Sequence, residues 1–77
     1  MISEVTTTDG VRIIVGHHYL FYSLKPDIAG EIWKVTAISD DGKVVEVERP
    51  YETSRRWSQW AIKEVSYEEA TRRPVFD

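Results

Sequence analysis

Six consecutive residues, Arg55-Arg56-Trp57-Ser58-Gln59-Trp60, hold the densest set of groups in this chain able to recognise another molecule. Two guanidiniums beside two indoles can contact phosphates and stack on bases. The same groups, Trp and Arg above all, anchor protein interfaces. Tyr51 and Arg49 lie just upstream, and Lys34 is a further basic residue. The candidate partner-binding set is therefore Lys34, Arg49, Tyr51, Arg55, Arg56, Trp57 and Gln59.

Charge distribution singles out the same region. From Arg49 to Lys63, four basic residues against Glu52 give +3, within a chain whose net charge is −3. A local basic segment in an acidic protein suits a partner met at one face. It keeps nucleic acid open as a partner, although the acidic remainder repels phosphates.

Other constellations carry less. His17-His18 suggests a metal site, but neighbours on a strand point to opposite faces and no third ligand stands at metal spacing. The chain has no cysteine, which removes thiolate ligands, a Cys nucleophile and disulfides together. It has no Gly-rich phosphate loop and no nucleophile elbow. Glu46 and Glu48 read as the solvated face of a strand, and 77 residues rarely build the deep cleft that paired carboxylates need. The expectation is a protein that is not an enzyme and that uses neither metal nor cofactor.

The elements that must position these residues read mainly as strands. Ile2 to Thr7 and Val11 to Val15 flank Asp9-Gly10, a hairpin turn, with Val11, Ile13 and Val15 on one face. Gly16 permits a kink or bulge. His17 to Leu24 reads as extended, with Tyr19 and Phe21 on one face and Leu20, Tyr22 and Leu24 on the other. Lys25 to Gly30 is a loop punctuated by Pro and Gly. Glu31 to Ser39 alternates, placing Trp33, Val35 and Ala37 opposite Ile32, Lys34, Thr36 and Ile38. Asp40-Asp41-Gly42-Lys43 turns the chain into Val44 to Glu48, with Val45 and Val47 inward. Pro50 ends that strand, and Tyr51 to Arg56 reads as a polar loop.

From Trp57 onward two registers are open. As a strand, Trp60 and Ile62 point inward while Trp57 and Gln59 point out; as a helical turn, both indoles share a side. Lys63 to Tyr67 closes the set of strands. Ser66 with Glu69 three positions on makes a capping-box start for a short C-terminal helical turn, supported by Glu68/Arg72 and Glu69/Arg73 spacings. Pro74 stops it, leaving Val75-Phe76-Asp77 as a tail.

The chain is thus expected to be one domain over residues 1–77, mostly β, with five to six short antiparallel strands and a helical turn and tail at about 67–77. A chain this short has a small core, and without disulfides its aromatic residues must supply the packing. The Glu31–Ile38 strand, the Asp40–Lys43 turn, the Val44–Glu48 strand and the closing strand near Val65 together resemble the SH3-like small barrels. The match covers roughly residues 11–67 and is one of pattern. It implies a binding module, and conceivably an aromatic cage of Tyr19, Trp33, Tyr51 and Trp57 around a methylated amine. The Tyr pair, acidic loop and Pro of the peptide-binding SH3 family have no counterparts here, so polyproline recognition is not implied.

The functional expectation is a protein-binding accessory or regulatory module. Nucleic-acid binding through the basic segment is the first alternative. A homo-oligomeric subunit, joined through the Tyr19–Leu24 faces and the Val75-Phe76 tail, is the second. No apolar run is long enough to span a bilayer, and Met1-Ile2-Ser3-Glu4 does not open a signal peptide, so a cytoplasmic location is expected.

Overall fold

A computed structural model describes residues 2–72. Seven strands, one 3₁₀ turn and one short helix follow in order: β1 Glu4–Thr6, β2 Arg12–Ile14, β3 His18–Phe21, β4 Glu31–Ile38, β5 Val44–Arg49, β6 Glu52–Trp57, the turn Ser58–Trp60, β7 Ala61–Val65 and α1 Tyr67–Thr71. β1 and β2 form a two-stranded antiparallel sheet. The other five strands form an antiparallel sheet in the order β6-β5-β4-β3-β7. The mostly β reading therefore holds, with two sheets.

Both turns expected from Asp-Gly pairs are present. Gly10 and Gly42 sit at φ 89° and 73°, the left-handed region that a side chain resists. In the second turn Ser39 N–H donates to Val44 O at 2.9 Å, closing the β4–β5 hairpin. Val45 and Val47 are buried from β5, as alternation demands.

Alternation along β4 breaks once. Val35 faces Val47, but Ala37 faces Glu46 and Ile38 faces Val45, so the strand carries one extra residue at Thr36. That bulge swings Ile38 into the core, where it packs with Trp33 and Val35, rather than onto the outer face expected for it. β3 is also shorter than expected. It ends at Phe21, leaving Tyr22 and Leu24 exposed.

The largest departure is at residues 51–56. All but Tyr51 belong to β6, paired with β5 from Val44↔Trp57 to Arg49↔Glu52, and not to a loop. Pro50 does end β5, but Tyr51 takes φ 67° and reverses the chain at once. A polar strand is stable here because two of its charges find opposite charges on β5: Arg55 opposes Glu46 and Glu52 opposes Arg49. The segment after it chooses the helical register, with Ser58–Trp60 one 3₁₀ turn and Ala61, not Ile62, buried.

The C-terminal helix starts as expected. Ser66 is its N-cap and accepts from Glu69 N–H at 3.0 Å. It ends at Thr71, and Arg72 is already extended, so no Glu68–Arg72 ion pair forms. The expectations for Arg73, Pro74 and Val75–Asp77 fall outside the described residues.

Tyr19 ties the two sheets together. Its ring is fully buried, and its hydroxyl accepts from Ile14 N–H at 2.7 Å. The phenolic proton reaches Arg12 O at 2.9 Å and the Glu64 carboxylate at 3.2 Å. Burial, first of all, pushes its pKa up to about 12. The folded state thus holds this proton more tightly than the unfolded chain. That stability is complete below about pH 10 and is lost as pH rises through about 12. Tyr19→Phe strands the Ile14 amide and should lower unfolding free energy by about 1–3 kcal/mol. In urea melts across this alkaline range, wild type should lose stability with rising pH and the variant should lose less.

Candidate functional site

The seven candidate residues do not form one surface. β6 carries three of them, and strand alternation sends its even and odd residues to opposite faces. Arg56 opposes the buried Val45 and so lies on the inner face, whereas Arg55 opposes the exposed Glu46 and lies on the outer one. Adjacent arginines are thereby given different tasks.

The inner arginines close over Trp33. Arg49 stacks its guanidinium 3.9 Å from the indole centroid, and Arg56 lies 5.0 Å from it. Glu31 links them, with Arg49 Nη2 at 3.1 Å and Arg56 Nη2 at 3.6 Å from its two carboxylate oxygens. Ser23 Oγ also donates to Glu31 at 3.4 Å. Arg49 Nε donates to Glu52 at 2.8 Å, which holds the Glu52 carboxyl below its ordinary pKa. The Arg56 and Glu31 side chains retain only 10% and 11% of their exposure, so these charges are committed to the fold rather than offered to solvent. Two donors in this cluster, Trp33 Nε1 and Arg56 Nε, are buried without an acceptor among the described residues.

The remaining cations are also met by carboxylates. Lys34 lies 3.9 Å from Glu48 and Arg55 3.6 Å from Glu46, both pairs exposed across neighbouring strands. Arg49, Arg55 and Arg56, three of the four basic residues in the +3 segment, thus face acidic partners from outside or inside that segment. The basic patch read from sequence is largely neutralised in three dimensions.

Gln59 serves a brace. Its Nε2 donates to Asp9 at 3.0 Å and its Oε1 accepts from Thr8 N–H at 3.1 Å, pinning the 3₁₀ turn to the β1–β2 hairpin. Ser58 does the same on the other side. Its hydroxyl donates to Gly42 O at 2.7 Å and its N–H to Lys43 O at 2.8 Å. Residues 58 and 59 thus fix the turn from which the flanking indoles project.

Those indoles line a recess. Leu24, Val44, Arg55, Arg56, Trp57 and Trp60 line a groove of about 340 Å³ between the β3–β4 loop, β6 and the 3₁₀ turn. Trp57 is 54% exposed and Leu24 66%, while Trp60 packs partly against the core. Leu24, Val44 and Trp60 were not among the candidates, Trp60 because the strand reading turns it to the core. An apolar residue at the mouth of a Pro-Gly loop was the available signal for Leu24; Val44 carried none, because only the β5–β6 pairing places it beside Trp57. Lys34, Arg49 and Tyr51 instead line a separate, larger groove between the outer sheet face and α1.

The proposed aromatic cage does not assemble. Tyr19 and Trp33 are buried, and Tyr51 and Trp57 stand at opposite ends of β6. The two histidines diverge as expected. His17 Nδ1 lies 2.8 Å from Glu64, and the His18 ring packs edge-on against Tyr67 at 5.9 Å, where burial lowers its pKa. Among the described residues no three metal-ligating side chains converge, and no helix is long and apolar enough to cross a membrane. Comparison of the chain with family models, curated proteins and solved structures finds no match.

Adjacent arginines should respond unequally to substitution. Glu31→Ala leaves two guanidiniums over a buried ring with their shared carboxylate gone, and should destabilise by about 3–5 kcal/mol. Arg55→Ala removes an exposed pair and should change stability by less than about 1 kcal/mol. Urea denaturation of the two variants checks the contrast.

Proposed function

We propose that this chain is a non-enzymatic binding module that takes a protein partner at the groove of Leu24, Val44, Trp57 and Trp60. The observation that carries the reading is the juxtaposition of a half-exposed indole and an exposed Leu at the mouth of a recess walled by a second indole. Large apolar side chains held at a surface by a rigid support are what interface anchors require, since little entropy is lost on binding. Arg55, with its side chain 77% exposed and 3.6 Å from Glu46, stands at the rim, where its remaining N–H groups are free to donate to a partner.

The SH3-like reading of the fold belongs to the same proposal. Its support is a meander of β3 to β6 whose last strand, β7, returns to pair with β3, leaving β6 and β7 as the edges of a small sheet. Nucleic-acid binding is the weaker reading, because most guanidiniums of the basic segment already face carboxylates, and their release would compete with phosphate contact.

Because Trp57 is exposed and the core does not depend on it, Trp57→Ala should leave the melting temperature within a few degrees of wild type. Affinity capture with both proteins, with and without nuclease, is the test. A partner kept through nuclease treatment and lost in Trp57→Ala supports the groove. Equal capture by the variant overturns it, and loss on nuclease treatment transfers the function to nucleic acid.

A further inference from the structure

The open edge of β6 is the feature that the proposed groove leaves unused. β5 occupies one side of this strand, and no strand among the described residues pairs with the other. Ser58 N–H donates to Lys43 O, extending the β5–β6 register by one pair. Antiparallel ladders alternate, so Glu52, Ser54 and Arg56 also turn their amides toward β5. Thr53, Arg55 and Trp57 therefore direct theirs outward. In keeping with this, the Arg55 carbonyl accepts from a side chain of its own strand, Arg56 Nη1, at 2.9 Å. A carbonyl has a second lone pair, so that contact does not close the edge.

We propose that β6 pairs antiparallel with β6 of a second copy, about a two-fold axis through Ser54. Strand alternation restricts the choices. A two-fold pairing that keeps both inner faces on one side must centre on a residue, not between residues. Centring on Ser54 sets Thr53 against Arg55, so the outward amides of each strand meet those of the other. It also sets Glu52 against Arg56 on the inner face, where each charge is already met within its own copy by Arg49 and Glu31, and brings Tyr51, at the turn before β6, toward the exposed Trp57 of the second copy. Centring one residue later, with faces matched by side, would bring Arg55 against its own copy and oppose two guanidiniums. Centring on Thr53 shortens the ladder and leaves Trp57 without a counterpart. Matched outward amides and the avoidance of opposed guanidiniums thus select one register of a self-pairing edge.

This interface shares Arg55, Arg56 and Trp57 with the groove but is made by the backbone edge of β6, and it does not rest on the proposed protein partner. It also differs from the Tyr19–Leu24 faces, since Tyr19 and Phe21 are consumed by the core. A six-residue edge gives a small contact, so the association is weak and belongs at high concentration.

Two measurements test it. Sedimentation equilibrium from about 10 μM to about 1 mM should show monomers giving way to dimers. Arg55→Pro removes an outward N–H while sparing the β5 ladder, since edge strands tolerate proline where the N–H faces out. It should weaken the dimer about tenfold or more, with an unchanged circular dichroism spectrum. The chain lacks cysteine, so single-Cys variants report the register. Directly opposed residues at a non-hydrogen-bonded pair lie within disulfide reach. Ser54→Cys should therefore crosslink under mild oxidation faster than Thr53→Cys or Arg55→Cys. A wild type that stays monomeric throughout, with no preferential Ser54→Cys crosslink, overturns the dimer. Faster crosslinking of Arg55→Cys or Thr53→Cys overturns the register, and a dimer indifferent to Arg55→Pro overturns the edge. If Arg55→Pro does not fold, the crosslinking order alone decides.

Discussion

Of the three indoles, Trp33 is the one withdrawn from water, and the groups that cover it are charged. Arg49 and Arg56 lie across its ring and Glu31 holds both in place. A guanidinium over an indole gains from the ring quadrupole and hides apolar surface with its planar face, which an aliphatic cover would do without fixing register. Glu31 opens β4, Arg49 ends β5 and Arg56 comes from near the end of β6, so one carboxylate ties together three strands. With no disulfide and a small core, that tie determines how β6 sits.

The consequences reach both proposed surfaces. Holding Arg56 inward puts Arg55 and Trp57 outward by alternation, and the 3₁₀ turn pinned by Ser58 and Gln59 then aims Trp60 beside Trp57. The same placement leaves the far edge of β6 uncovered. A strand whose side chains are mostly polar survives there because Glu52 and Arg55 face Arg49 and Glu46 across the ladder and Arg56 reaches Glu31 on β4, and charge along an edge limits indiscriminate pairing. Selective self-pairing is what remains possible.

Neutralisation is the other lesson of the site. A net local charge counts residues along the chain, whereas a partner feels the field after carboxylates from other strands have closed in. Glu31 and Glu46 lie outside the basic segment and meet its arginines only through the fold, Glu46 from the neighbouring β5 and Glu31 from β4 beyond it. At separations of about 3–4 Å those pairs cancel most of the attraction that a phosphate would experience.

Residue order by itself determined the strand-rich character, both Asp-Gly hairpins, the inward set Trp33, Val35, Val45 and Val47, the shared face of Tyr19 and Phe21, and the Ser66 cap. Each of these follows from local rules: alternation, positive φ at glycine, a hydroxyl three residues from an amide. Tertiary structure alone decided that Tyr51–Arg56 contains a strand, that Thr36 is bulged, and that neighbouring arginines part company. A polar segment becomes a strand only when a partner offers matching charges, and a bulge appears only when two strands must reconcile their registers. No local pattern encodes either, because the deciding groups lie on other strands.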